Sequence, residues 1–299
     1  MEFTHAFFLL VAALLLDWFF GEPKRWHPLV GFGRGVQWLE QRLYRPTVMR
    51  GLLLLLLLVI PPVVVVAWFD SPFPAIVVLY FTLGACSLTE HAGRVDEALR
   101  LDDLGLARRQ VGMMVSRNTA GMTVEDVSRA TIESVLENGN DAIFGAIFWF
   151  LVAGPAGALL YRLVNTLDAM WGYRTPRYQA FGSAAARFDD LLNLIPARLT
   201  AFSYALLGNV HDGLASWRSQ GKQWESPNAG PVMAAGAGAL QLVLGGSARY
   251  HGQWRQRPTL GCGNTPTPAD IPRAMALVQR GIVLWLLAIA LIEGGRYLA

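Results

Sequence analysis

The chain has 299 residues, 53% of them hydrophobic and only 16% charged, with a net charge of +3. Its mean hydropathy of +0.35 is too apolar for an ordinary soluble domain of this length and indicates a polytopic membrane protein. The mild charge, with no basic tract interleaved with aromatics, argues against a nucleic-acid partner, and two isolated cysteines, Cys86 and Cys262, exclude a disulfide framework or a cysteine metal cluster.

In chain order, the apolar run from Phe7 to Phe20 has no basic residues ahead of it and no small-residue cleavage site after it, so it reads as a retained membrane segment rather than a signal peptide. The clearest spanning run is Gly51 to Phe69, where Pro61-Pro62 predicts a kink. A second run, Phe73 to Leu88, follows so closely that the two predict a helical hairpin. Lys24, Arg25, Arg34, Arg42, Arg45 and Arg50 precede this pair, and Arg94, Arg100, Arg108 and Arg109 follow it. Both flanks are therefore expected in the cytoplasm, with Asp70 on the other side.

The polar stretch Glu90 to Asn140 contains the best helix start in the chain. Thr123 is placed to cap, Asp126 stands at N3, and Met122 and Val127 are spaced as a hydrophobic staple, which predicts a helix ending near Asn138-Gly139. Arg129, Glu133 and Glu137 share one stripe at i, i+4, i+8. The stripe is either a solvated face with intrahelical pairs or a platform for metal and phosphate.

The run Ala142 to Leu163 is interrupted at Gly154-Pro-Ala-Gly157, leaving halves too short to span. A full crossing would also strand Arg174, Arg177 and Arg187 outside, so a re-entrant or broken helical pair is expected. Tyr161, Asn165 and Asp168 fall on one helix face, and Asp189 and Asn193 repeat the i, i+4 relation. These residues either line a polar cavity or bond between helices.

Three weaker apolar runs follow: Leu191 to Leu207, Val232 to Leu244 and Ile282 to Ile292. The middle one is rich in Ala and Gly and reads as an interior helix. Ser226-Pro-Asn-Ala-Gly230 and the region 261–272 read as loops. Without repeats or a linker, residues 1–299 read as a single membrane-embedded domain in an all-α, polytopic fold with cytoplasmic polar helices. No phosphate-binding loop or dinucleotide fingerprint is present, and the five histidines lack metal-ligand spacing.

Several longer motifs occur in order: Asp17…Gly21-Glu-Pro23…His27-Pro28…Gly31, Val115-Ser-Arg117, Arg129-Ala-Thr-Ile-Glu-Ser134…Glu137-Asn138…Asn140-Asp141, Tyr161-Arg162…Asn165-Thr-Leu-Asp168, Gly172-Tyr173, Arg187…Asp189-Asp190, Ile195-Pro-Ala-Arg-Leu-Thr200, Ser226-Pro-Asn-Ala-Gly230 and Leu244-Gly-Gly246…Tyr250. Together they resemble the motif series of the adenosylcobinamide-phosphate synthase (CobD/CbiB) family, across nearly the whole chain. Asn118, Glu22 and Gly145-Ala146 depart from the family's usual residues.

The resemblance implies an enzyme of cobalamin biosynthesis in the inner (cytoplasmic) membrane, with a corrinoid substrate. Its expected reaction is the ATP- and Mg²⁺-dependent joining of adenosylcobyric acid to (R)-1-aminopropan-2-ol O-phosphate, or to the free amino alcohol. Amide formation from a carboxylate needs activation, and an acyl phosphate is the economical route, so acids and arginines should occur together. On this reading Glu133, Glu137, Asp168, Asp189 and Asp190 are the candidate catalytic acids, with Glu133, Glu137 and Asp168 the foremost Mg²⁺ ligands. Arg117, Arg129, Asn138, Asp141, Arg162, Asn165, Arg187, Arg198 and Asn228 are candidate substrate and phosphate contacts. Association with other late cobalamin-pathway membrane enzymes and homo-oligomerisation remain open. Two other classes stay in view, a membrane sensor related to the β-lactamase induction signalling protein and a transporter built on a broken helix.

Overall fold

The computed structural model describes residues 6–23, 27–69, 71–250 and 253–298. The expectations placed on Lys24, Arg25 and Asp70 lie outside these residues. The described chain is overwhelmingly helical, as expected, and it divides into two compact units. The first comprises 1–86, 141–193 and 289–299; the second comprises 87–140 and 194–288. Among the described residues, four helical stretches are long and apolar enough to cross a membrane: Val48–Ala67, Pro72–Arg100, Val124–Trp171 and Asp270–Gly295. Large apolar side chains on them stay exposed, including Leu53, Leu57, Val64, Val283 and Leu287, as lipid contact requires.

In the first unit, α1 (Ala6–Phe20), α2 (Pro28–Leu43), α3 (Val48–Ala67) and α4 (Pro72–Thr82) precede the start of α5 (Ala85–Arg100). The expected kink at Pro61-Pro62 does not interrupt α3, which is helical through the pair. The expected hairpin of the two apolar runs is also corrected. Neither α3 nor α4 makes its main contacts with the other; both pack on α8 (Gly145–Trp171), and α4 also packs on α1. The second run breaks at Leu83-Gly84, where Leu83 turns extended, before α5 begins.

The predicted break in the re-entrant segment is present. Ala153 and Gly154 leave the helical region, and Gly154 takes φ 62 and ψ −158, a conformation essentially reserved for glycine. The two halves of α8 then run back along one another. A side chain at Gly157 would collide with the Trp149 carbonyl, and one at Gly145 with the Tyr161 ring, contacts between residues eight and sixteen apart in sequence that a straight helix cannot make. The short α9 (Tyr178–Phe181) and then α10 (Ser183–Leu192) follow in this unit, with α10 lying on α8.

The second unit carries most of α5, then α6 (Leu104–Val111) and α7 (Val124–Gly139). Its α7 starts as predicted, with Thr123 and Asp126 forming a reciprocal capping box. Its α-helical part ends at Gly139, as predicted, but the chain does not leave the helix axis for a loop there. Gly139 instead makes room for Tyr204 and Val278, and Asn140 Oδ1 accepts from Thr200 Oγ1 at 3.0 Å, so both residues serve packing and the chain continues as a π-helical turn, Asn140–Phe144, into α8. Beyond lie α11 (Leu194–Leu207), α12 (Val210–Gln220) and α13 (Ala229–Leu240). Every residue of α13 is buried, as the Ala/Gly pattern predicts, and α11 and α12 pack on it. Two small antiparallel pairs, β1 (Val243–Gly245) with β4 (Thr259–Gly261) and β2 (Ala248–Tyr250) with β3 (Gln253–Arg255), went unread in the sequence. The last helix is α14 (Asp270–Leu298).

Candidate functional site

The first unit brings together the polar faces read from α8 and α10. Tyr161 donates its hydroxyl to Asn193 Oδ1 at 2.9 Å, Asn193 Nδ2 donates to Asp189 Oδ2 at 3.1 Å, and Asn165 Nδ2 donates to Asp189 Oδ1 at 3.1 Å. Asp168, one helical turn beyond Asn165, feels the charges of Asp189 and Asp190, and among the described residues its carboxylate has no hydrogen-bond or ion-pair partner. Burial pushes the Asp189 carboxyl above the usual carboxylate range; the Asp141 charge adds to this, against the two asparagine hydrogen bonds. Asp190 is raised by burial and held back by Arg174. Arg187 sits on the exposed side of α10. The end of α8 is anchored by Glu40, which accepts from Trp171 Nε1 at 3.0 Å, Arg177 Nη2 at 2.8 Å and the Tyr178 hydroxyl at 3.0 Å.

The same unit gathers residues of the amino-terminal motif that the sequence reading did not assign to a site. Asp17 Oδ2 accepts from the backbone N–H of Cys86 at 2.8 Å, at the start of α5. His27 Nδ1 caps α2 by accepting from Leu29 N, and its Nε2 stands 4.0 Å from Glu22 Oε1. Burial lowers the His27 pKa, opposed by the Glu22 charge and reinforced by Arg162. Asp141 stands in the π-helical turn, within electrostatic reach of Tyr161, Arg162 and Asp189.

In the second unit Glu133 is buried and its carboxylate is fully engaged. Arg257 approaches it with both Nη atoms at 3.0 and 3.1 Å, Arg117 Nη2 donates at 2.8 Å, and the Gly245 N–H donates at 2.8 Å. A cavity of about 250 Å³ opens here, lined by Arg117, Glu133, Glu137, Asn138, Trp224 and Arg257 among others. Arg129, although on the same predicted stripe, turns the other way and pairs with Glu125 and Asp126. Arg198 binds Asn228 and the Pro227 carbonyl, and borders a neighbouring cleft of about 460 Å³ with Trp217, Arg218, Lys222 and Trp224.

Arg257 and the Gly245 N–H are the partners of Glu133 that sequence reasoning missed here. The Leu244-Gly-Gly246 motif was visible, but nothing in local spacing ties it to a glutamate 112 positions earlier. Among the described residues no group of three or more His, Cys, Asp or Glu side chains could hold a metal ion by itself. Mg²⁺ asks less, because it commonly uses one or two carboxylates together with substrate phosphates. The hard oxygens of Asp168 and Asp189 fit that demand, whereas the Glu133 oxygens are occupied by guanidinium groups.

Such a fold and such clusters define a polytopic α-helical membrane protein that buries acids such as Asp17, Glu133 and Asp189. Residues 10–278 match the family described as CobD/Cbib protein, and the chain belongs to that family. It is similar to relatives named Cobalamin biosynthesis protein CobD: 54% identical to that of Chromobacterium violaceum (92% of this chain, 93% of the relative), 52% to that of Stutzerimonas stutzeri (95% and 96%) and 39% to that of Mycobacterium tuberculosis (93% of each). No solved structure matches the chain.

Proposed function

We propose that this protein serves cobalamin biosynthesis as an ATP-dependent amide ligase of the cytoplasmic membrane, joining adenosylcobyric acid to (R)-1-aminopropan-2-ol O-phosphate. The observation that carries the reading is the cluster of carboxylates in the first unit, Asp189 buried and Asp168 and Asp190 half-buried, with Asp168 unpaired among the described residues. Buried like charges are costly, and a fold that retains them in place gains from a cationic ligand. The matched family and the corrinoid-pathway names of its relatives agree with this assignment.

The chemistry has two steps. A corrinoid carboxylate takes the γ-phosphoryl group of ATP, releasing ADP; the free amine then attacks the acyl carbon and expels phosphate, forming the amide. Mg²⁺, when bound, would supply charge neutralisation for the phosphate groups. Asp168 and Asp189 would hold it, Asn165 and Asn193 would fix the Asp189 oxygens, and a neighbouring carboxylate would take the ammonium proton before attack. In the second unit, considered by itself, Glu133 locks Arg257 in place, while Arg117, which spends one Nη–H on Glu133, keeps its other donors for an anionic group entering that unit's own cavity. The test is direct: purified protein in detergent, adenosylcobyric acid, aminopropanol phosphate and Mg-ATP should give the amide and ADP together. ADP formed without amide, or no corrinoid product at all, overturns the reading.

A further inference from the structure

In the second unit α11 leaves one face without a protein partner among the described residues. Its other side, with Ala197, Thr200, Ala201 and Tyr204, is buried where the helix packs on α13 and α12, whereas Ile195, Leu199, Phe202 and Leu206, with Val210 just beyond, are 41–56% exposed. These five recur at i, i+4, i+7, i+11 and i+15, so they form one apolar stripe along the helix. The 14 residues of α11 extend about 21 Å, well short of the roughly 30 Å of a hydrocarbon core, so the helix suits the membrane interface rather than a crossing. Its neighbour α14 sets it at the membrane. Trp285 Nε1 of α14 donates to Ser203 Oγ at 2.9 Å, and on the same stretch of that membrane-length helix Val283 and Leu287 stay exposed. The α11 stripe thus adjoins a lipid-facing surface.

Arg198 stands at the edge of that stripe and also lines the cleft of about 460 Å³. Trp217 and Trp224 wall the cleft, each backed by a glycine: a side chain at Gly221 would meet Trp217 Cδ1 at 3.2 Å, and one at Gly230 would meet Trp224 Cβ at 2.7 Å. Three cations, Arg198, Arg218 and Lys222, line it against a single acid, Glu225. Arg198 is committed to Asn228 and the Pro227 carbonyl, but Arg218 and Lys222 are exposed, and among the described residues neither side chain has an ion-pair or hydrogen-bond partner. Indole rings favour the headgroup level of a bilayer, and lysine and arginine there attract anionic headgroups. A choline or ethanolamine headgroup would instead set its own cation among three others. We infer that the α11 stripe and the cleft of Trp217 and Trp224 together bind one anionic phospholipid, its acyl chains along Leu199, Phe202 and Leu206 and its phosphodiester on Arg218 and Lys222. This lipid contact is independent of the amide-forming reading, which assigns no role to Arg218 or Lys222.

The test is native mass spectrometry of the full chain in detergent, with phosphatidylglycerol, phosphatidylcholine and phosphatidylethanolamine supplied in equal amounts. Wild type should retain one phosphatidylglycerol with a preference of about thirtyfold, the size expected of two unpaired cations, and Arg218→Gln combined with Lys222→Gln should abolish that preference. Leu199→Ser combined with Phe202→Ser removes acyl contact instead, so it should weaken all three lipids and keep their ratio. Arg100→Gln combined with Arg109→Gln makes the same change of net charge at exposed positions of α5 and α6 and should leave the preference intact. Should the Arg218/Lys222 pair fail to accumulate, Lys222→Gln alone should lower the preference about fivefold.

Equal retention of the three lipids by wild type overturns the inference, as does an unchanged preference in the Arg218/Lys222 pair or in Lys222→Gln alone. So does an equal loss in the Arg100/Arg109 pair, which would trace the preference to net charge rather than to the cleft. Displacement of the lipid by glycerol 3-phosphate, inorganic phosphate or ATP would make the cleft a site for soluble anions and overturn it too. A dimer that Leu199→Ser with Phe202→Ser dissociates would give the stripe to a second copy of the chain, with the same consequence.

Discussion

Asp168 offers its carboxylate from α8 beside Asp189 and Asp190 with no basic partner among the described residues. Asp168→Asn keeps its shape and removes the charge, so amide formation should be abolished while the protein inserts and accumulates normally; near-normal turnover would take Asp168 out of the site. Asp189 makes a separate prediction about stability. Its carboxyl is raised in the folded state, so below its ordinary value of 3.8 both states are protonated and the group contributes nothing. As pH rises from there toward neutrality the unfolded chain loses its proton first, and the folded state is progressively penalised. In metal-free protein, the melting temperature of Asp189→Asn relative to wild type should therefore increase between pH 4 and pH 7. A constant difference would contradict the burial argument.

Glu133 separates two accounts of the second unit. Glu133 is buried and is the counter-charge of the largely enclosed Arg117 and Arg257, so its change to Gln should cost about 3–5 kcal/mol and lower the melting temperature in detergent. As a Mg²⁺ ligand, the role expected from the motif, it should instead raise the Mg²⁺ requirement and leave melting unaltered. Arg129→Ala belongs to neither account, because Arg129 pairs with partly exposed Glu125 and Asp126; a loss of no more than about 1 kcal/mol and unchanged activity are expected.

Among the elements, the reversal in α8 has the sharpest requirement. Gly154 occupies a region that other residues adopt at a cost of about 1–3 kcal/mol, and Gly145 and Gly157 allow the two halves to touch. Gly157→Leu should prevent the halves from closing, separate Asn165 from Asp189, and reduce both membrane accumulation and activity; unchanged levels of both would show that the reversal tolerates separation. The break was legible because Gly-Pro within an apolar run is a local signal. The π-helical turn was not. Asn-Gly at 138–139 reads locally as a helix end, and only Tyr204, Val278 and Thr200, contributed by distant helices, turn those residues into packing positions.

For the whole molecule, four membrane-length helices among the described residues and rows of exposed leucine and valine predict that the protein sediments with the membrane fraction, resists carbonate extraction and is released by detergent. Recovery in the soluble fraction would contradict the reading. The sequence by itself determined the helical membrane class, the broken segment, the interior Ala/Gly helix and the polar faces of α8 and α10, because periodicity and composition act over a few residues and survive without tertiary context. It also carried the family resemblance, through long motifs in order. Only the tertiary structure decided that Glu133 faces Arg257 and the Gly245 N–H, that Asp17 caps the start of α5, and that Arg162 is left with a buried donor beside the Gly84 break. Each of these joins side chains to groups far away in sequence, and a buried charge finds its partner through the packing of whole helices rather than through spacing along one of them.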